Sequence, residues 1–138
     1  MNYLLDTNVM SESRKPRPNP NYMAWMDAAP GSSLFVSALV IGELRRRVEL
    51  LHRRDRRQAI ILERWLQQFI NEFTDRILPV TLDIAEEWGR MNVPDRLPAV
   101  DGLLAATAKI HRMTLVTRDT GRLADFGVTV INPFVPIY

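Results

Sequence analysis

Residues 3–9 read Tyr3-Leu4-Leu5-Asp6-Thr7-Asn8-Val9, a short apolar run that closes on an acid and then turns polar. That is the pattern of a buried strand with a carboxylate at its carboxyl end. A hundred residues later Leu115-Val116-Thr117-Arg118-Asp119 repeats it, again with an acid just past an apolar run. What separates the two decides the fold class. Prolines 16, 18 and 20 make 14–20 a loop. Asn21 to Ala29 has helical character and stops at Pro30-Gly31, and Leu34-Phe35-Val36 is a second brief strand. Ser37 caps a helix. Leu39 to His52 and Arg56 to Phe73 carry apolar residues at helical spacing (Ile61, Trp65, Phe69 or Ile70, Phe73) and predict a helical hairpin.

Further on, Arg76 to Val80 is strand-like and Asp83 to Met91 is a helix entered from Thr81. Pro94 to Pro98 is a loop before a helix reaching about Arg112. Thr114–Thr117 and Val128–Ile131 are the last strands. Strands parted by helices, never by two-residue hairpin turns, require crossover connections and therefore a parallel sheet. The expected class is α/β, a short parallel sheet of about five strands flanked by helices in three layers.

The chain has 138 residues, which fits one domain spanning 1–138 on the usual scale of roughly 100 to 200 residues per domain. With 46% hydrophobic and 25% charged residues it is an ordinary globule in composition. The absence of cysteine excludes disulfides, zinc thiolates, iron–sulfur clusters and thiol nucleophiles, so a bound metal must rely on oxygen ligands or two histidines. The first residues lack a basic start and long apolar core, and the best apolar run, from Leu34 to Gly42, falls short of the roughly 18 residues that span a bilayer. A cytoplasmic protein with no membrane partner is expected. Sixteen of its eighteen basic residues are arginine, whose forked guanidinium suits phosphate. Residues 44–57 hold seven arginines against Glu49 and Asp55, a local balance of +5 in a chain of net charge +2.

In an open parallel sheet, ligands bind beyond the carboxyl ends of the strands, where Asp6 and Asp119 stand. Taken singly, an aspartate after a strand is more often a helix cap or turn former. Asp101 opens the helix whose stripe is Leu104, Ala105 and Ala108, so it falls on the core-facing side, although a first-turn acid also suits the helix dipole. Glu43 follows Leu39 and Val40, with an exposed pair to Arg47 as its ordinary role. Four converging carboxylates would repel one another unless a divalent cation kept them charged. Oxygen ligands alone favour Mg²⁺ or Mn²⁺. Such ions activate water and stabilise a leaving oxygen, which is the chemistry of phosphodiester hydrolysis.

In order along the chain, Leu4-Leu5-Asp6-Thr7-Asn8-Val9, Ser37 to Gly42-Glu43-Leu44, Val100-Asp101-Gly102-Leu103-Leu104-Ala105-Ala106-Thr107-Ala108 and Leu115-Val116-Thr117-Arg118-Asp119 resemble the motifs of PIN-domain nucleases. The likeness is greatest to VapC and FitB-like toxins of prokaryotic toxin–antitoxin pairs. It extends to Asn132-Pro133-Phe134, where relatives often have Asn-Pro-Trp. The resemblance implies a PIN-like fold and an acidic metal-binding quartet of Asp6, Glu43, Asp101 and Asp119, with Asn8 and Thr117 orienting it. Many relatives carry asparagine at the position of Asp119 and an acid slightly later, so Asp125 is the alternative to the preferred Asp119. The implied activity is Mg²⁺-dependent endoribonuclease action on structured RNA, often transfer RNA, by a homodimer held silent by a cognate antitoxin. Arg46, Arg47, Arg53 and Arg54 would position RNA phosphates, the alternative being a solvated basic face.

Other readings lack residues they need. A phosphatase of the haloacid dehalogenase type wants an aspartate where Asn8 stands. A receiver domain wants a late lysine, and Lys109 sits mid-helix. No G-x-x-x-x-G-K loop is present. A PIN-like module that binds RNA or protein without cutting is the alternative in a different class. His52 and His111 are assigned to helix ends or the surface, and Trp25, Trp65 and Trp88 to packing in the core or between subunits.

Overall fold

The computed structural model describes residues 1–136. Five strands, β1 (Tyr3–Leu5), β2 (Leu34–Ser37), β3 (Ile77–Leu78), β4 (Thr114–Val116) and β5 (Val130–Ile131), form one sheet in the order β3-β2-β1-β4-β5. Every pairing is parallel, with Tyr3 opposite both Leu34 and Thr114, and Leu5 opposite Val116. Seven helices flank the sheet among the described residues: α1 (Thr7–Glu12), α2 (Pro20–Ala28), α3 (Ala38–His52), α4 (Arg56–Glu72), α5 (Leu82–Met91), α6 (Ala99–His111) and α7 (Thr120–Ala124). None is long and apolar enough to cross a membrane. The α/β class and the parallel sheet match the sequence expectation.

The central strands are apolar on both faces because helices cover both. Leu4, Leu5, Val36, Leu115 and Val116 are fully or almost fully buried, and Val40, Leu44 and Val48 of α3 join Leu62, Leu66 and Phe69 of α4 in the same core. The expected hairpin forms, since α3 packs on α4. Helix starts follow their caps. Asn19 caps α2 and Pro20 takes its first turn, where a missing N–H is harmless, so the helix begins one residue ahead of the expected Asn21. Ser37, Asp55 and Thr81 cap α3, α4 and α5.

Three expectations are revised. The strand read at 76–80 shrinks to Ile77–Leu78, because Pro79 has no N–H for the ladder. The strand read at 128–131 shrinks to its last two residues, following a turn at Gly127, whose φ is +78°. The helix α7 was not foreseen, being only five residues long and thus too short to show a period.

The chain order sets the site. It winds β1, β2, β3 to one edge, then returns to lay β4 and β5 on the other side of β1. Direction therefore reverses between β1 and β4, and the crevice past their carboxyl ends is where such sheets take ligands.

Candidate active site

Asp6 immediately follows β1, and its N–H extends the ladder by donating to the Val116 carbonyl at 3.2 Å. Its Oδ1 accepts the Val9 N–H at 2.9 Å, so the residue also caps α1. Capping and site formation are the same geometry here: the side chain is turned toward the crevice by the helix it starts. Burial pushes the Asp6 carboxyl above its ordinary range, hydrogen bonds from Thr117 and Val9 partly offset this, and the Asp101 charge adds to it.

Asp6, Thr7, Asn8, Glu43, Arg47 and Asp101 surround a polar cavity of about 160 Å³. Glu43 reaches it from the second turn of α3, and its Oε1 accepts a hydrogen bond from the Thr7 hydroxyl. The ordinary expectation for Glu43, a pair with Arg47, is not seen. Arg47 instead donates to Ser11 Oγ at 2.7 Å and to Asn8 Oδ1 at 3.4 Å. Asp101 reaches the cavity from the first turn of α6. It is 42% exposed, so it faces the crevice and not the core as its helical phase suggested. Burial again raises its pKa, Arg122 opposes the rise, and Asp119 and Glu43 add to it. Gly102 lets α6 approach α5 here, since a Cβ would stand 2.9 Å from Trp88 Nε1.

Asp119 lies beside this cavity and is joined to it by an arginine. Arg122 Nη2 is 2.6 Å from Asp119 Oδ2 and 3.5 Å from Asp101 Oδ2. The alternative acid, Asp125, lies with Arg122 on a separate groove of about 590 Å³ between α5 and α7. Thr117 is buried, its hydroxyl accepts the Asp119 N–H at 3.2 Å, and its side chain draws the Asp6 pKa down, so it stands near both acids. Asn8 lines the cavity and holds Arg47.

The four arginines singled out by sequence part company. Arg47 is at the cavity. Arg46, one residue earlier, points elsewhere on α3 and is exposed, while Arg53 and Arg54 sit at the far end of the hairpin, about 15 Å further along α3 than Glu43. Two site neighbours were missed. Thr7 was quoted in its motif without a role, and Arg122 hides on the short helix that carries no periodic signal. Trp25 is buried against Tyr3, Trp65 packs on Phe69, and both histidines are exposed near helix ends.

The donor chemistry suits a hard divalent cation: all oxygen, anionic, and with two carboxyls whose charge is disfavoured as they stand. Among the described residues, no three acidic or histidine side chains stand close enough to hold a metal ion together. Thr7 holds Glu43 aside, and the Arg122 guanidinium supplies positive charge between Asp101 and Asp119.

The PIN domain pattern matches residues 3–127. Toxin FitB of Neisseria gonorrhoeae is 37% identical over 136 residues, covering 95% of this chain and 97% of that protein. VapC ribonuclease Y4jK of Sinorhizobium fredii is 32% identical over 138 residues, covering 96% and 98%. A chain in the solved structure of FitAB bound to an IR36 DNA fragment superposes with a TM-score of 0.88 at 35% identity, over 99% of this chain and 98% of that one. A crevice of acids at the switch point of a β3-β2-β1-β4-β5 sheet, together with these likenesses over nearly the full length, places the chain in the PIN-domain family.

Proposed function

We propose that this protein is a metal-dependent endoribonuclease toxin of a toxin–antitoxin pair, acting in the cytoplasm on RNA phosphodiester bonds. One observation carries the reading: Asp6, Glu43 and Asp101, drawn from three elements far apart in sequence, open onto one polar cavity beyond the strand ends. Two of them have raised pKa values, an arrangement that stability alone would select against and that a bound cation would relieve. The names of the relatives, a toxin and a ribonuclease, support the same reading.

Asp6, Glu43, Asp101 and Asp119 are the residues to hold Mg²⁺, for which Mn²⁺ can substitute. When bound, the ion supplies an activated water and neutralises charge on the phosphate. The chain contributes the rest. Thr117 keeps Asp6 and Asp119 in register. Asn8 and Ser11 hold the Arg47 guanidinium at the cavity wall, where it contacts a phosphate oxygen of the strand being cut. Arg46, Arg53 and Arg54 extend the positive surface along α3 and the hairpin end, reaching phosphates away from the cut.

A homodimer is proposed with the family, and the structure offers it exposed apolar side chains: Leu82 is 75% and Val93 74% accessible. The cognate antitoxin silences the site by placing a cation among the carboxylates, a reading supported by the contacts that Arg122 makes with Asp101 and Asp119, where a guanidinium already sits between two of these acids. Light scattering of the isolated chain tests the dimer, and a monomer at micromolar concentration rejects it.

The central experiment treats total RNA with purified protein in Mg²⁺ or in EDTA and sequences the new ends. Defined cuts in Mg²⁺, absent in EDTA and absent with Asp101→Asn, are expected. RNA binding without cutting in either condition would make this a binding module, and cutting by Asp101→Asn at the wild-type rate would remove the quartet.

A further inference from the structure

We propose that Arg122 is a two-position side chain: an internal counter-cation that bridges Asp101 and Asp119 when the site holds no metal, and a substrate-phosphate contact once metal displaces it. The inference rests on the metal site proposed above, and adds to it a residue that competes for the same carboxylates.

Three observations carry it. The Arg122 guanidinium meets Asp119 Oδ2 at 2.6 Å and Asp101 Oδ2 at 3.5 Å, so one nitrogen serves acids from two different elements. Such a contact holds two carboxylates in a common orientation and at the same time occupies the charge position that a divalent ion would need. Second, the bridge is half exposed, with Arg122 51% and Asp119 47% accessible, and exposed pairs contribute little net stability. A divalent ion with twice the charge at shorter range outcompetes it. Third, the same side chain borders the groove of about 590 Å³, where Arg90, Arg96 and Lys109 stand against Glu87, Asp95 and Asp125, with Lys109 paired to Glu87 at 3.0 Å. Once off the carboxylates, Arg122 gives that groove one cation more than its acids match, and it stands next to the cavity. Released in that direction, the guanidinium meets the phosphate backbone of an RNA strand leaving the site between α5 and α7.

Arg122 therefore has opposite effects on two ligands. Mn²⁺ titration of the full-length protein, followed by the electron paramagnetic resonance of free ion, separates them. Arg122→Ala should bind Mn²⁺ roughly threefold to tenfold more tightly than wild type, because the competing charge is gone. Arg122→Lys should stay near wild type. At saturating Mn²⁺ the alanine variant should raise KM for total transfer RNA by about fivefold while kcat changes less than about twofold, and should lower the salt slope by somewhat under one unit.

Unchanged or weaker Mn²⁺ binding in Arg122→Ala overturns the counter-cation role, and an unchanged KM overturns the phosphate contact. The control distinguishes the levels. Wild-type protein that binds no Mn²⁺ overturns the metal site and this inference together. Mn²⁺ binding that Asp6→Asn abolishes but Arg122→Ala leaves untouched overturns only the role of Arg122.

Discussion

The helix α1 has an acid at each end, and the fold treats them in opposite ways. Glu12, its last residue, is buried, accepts the Asn19 N–H at 2.8 Å, and has Lys15 at 2.9 Å and Arg118 at 3.5 Å. These partners, the Asn19 bond first, hold its carboxyl below the ordinary range. Asp6, capping the same helix, has hydrogen bonds from Val9 and Thr117 but no cation, and burial leaves its carboxyl above the ordinary range. The difference separates two uses of a carboxylate. Glu12 ties the 13–19 loop and the end of β4 to α1, and its charge is satisfied by the protein itself. Asp6 is ordered as firmly but left short of positive charge, which a ligand must bring. Glu63, drawn down to about 2 chiefly by the bidentate hydrogen bonds of Arg45, belongs with Glu12. Asp101 belongs with Asp6.

The largest effect expected from this contrast is on activity. Asp6→Asn should lower Mg²⁺-dependent cleavage by about a thousandfold or more, equivalent to about 4 kcal/mol of transition-state stabilisation. Asparagine caps a helix as well as aspartate does, so α1 should survive. Single-turnover cleavage and circular dichroism on the same sample check both halves. Near-wild-type cleavage would erase the distinction between the two ends of the helix.

Next in size is the stability held at the other end. Glu12→Gln keeps the shape but gives up a charge-assisted set of contacts, leaving Lys15 and Arg118 without their anion. A loss of about 2 to 3 kcal/mol in urea unfolding is expected. The loss has a defined pH dependence. Because the folded-state pKa of Glu12 is lowered, its contribution is complete above the ordinary value of 4.5 and disappears as pH falls through the folded value. The wild-type and Glu12→Gln curves should therefore converge toward acid. A constant gap down to pH 2 would show that packing, not charge, holds this end.

How much of this was legible in the sequence depends on the range over which each feature acts. The strand–acid pattern at Asp6 and Asp119 and the helical phase of 39–73 are local, and they led to the sheet, the hairpin and the crevice. The convergence of Asp6, Glu43 and Asp101 was legible only through their order along a family pattern, because nothing local links residues 37 and 58 positions apart. The partners that distinguish Glu12 from Asp6 were not legible at all. Glu12 meets Arg118 across 106 residues, and Arg122 reaches Asp101 from a helix too short to show a period. Arg47 illustrates the same limit: its spacing from Glu43 suggested an ordinary pair, but the structure turns it toward Ser11 and Asn8 on α1.

A smaller effect sharpens the comparison from beneath Asp101. Gly102→Ala puts a methyl group 2.9 Å from Trp88 Nε1 and 3.3 Å from Asn92 Nδ2, where α5 and α6 meet. Trp88 Nε1 is already buried without a hydrogen-bond partner, so moving the ring does not break a polar contact. A cost of about 1 to 2 kcal/mol from overpacking is expected, together with lost cleavage as the first turn of α6 shifts. Thermal unfolding and the cleavage assay should both respond. A variant that melts lower yet cuts normally would show that Asp101 tolerates displacement, and hence that the site end is less tightly ordered than the Glu12 end.

The smallest effect expected is the most discriminating, because it is a sign. Asp6 has a raised folded-state pKa, so the proton binds the native chain more tightly than the unfolded one. Its contribution is then most favourable below the ordinary value of 3.8 and is lost as pH rises through the folded value, the reverse of Glu12. At neutral pH the charged Asp6 therefore works against the fold, and replacing it with the neutral amide removes that opposition while keeping the cap. Metal-free Asp6→Asn should be more stable than wild type at pH 7.5, by a few tenths of a kcal/mol up to about 1, and this advantage should vanish near pH 3. Saturating Mg²⁺ should stabilise wild type and not the variant, closing or reversing the gap, because a ligand stabilises only the form that binds it. Urea unfolding at the two pH values, with Mg²⁺ or with EDTA, reads all of this. If Asp6→Asn is destabilised at pH 7.5 in EDTA by as much as Glu12→Gln, the carboxylate at the start of α1 is a structural anion like the one at its end, and the contrast between them disappears.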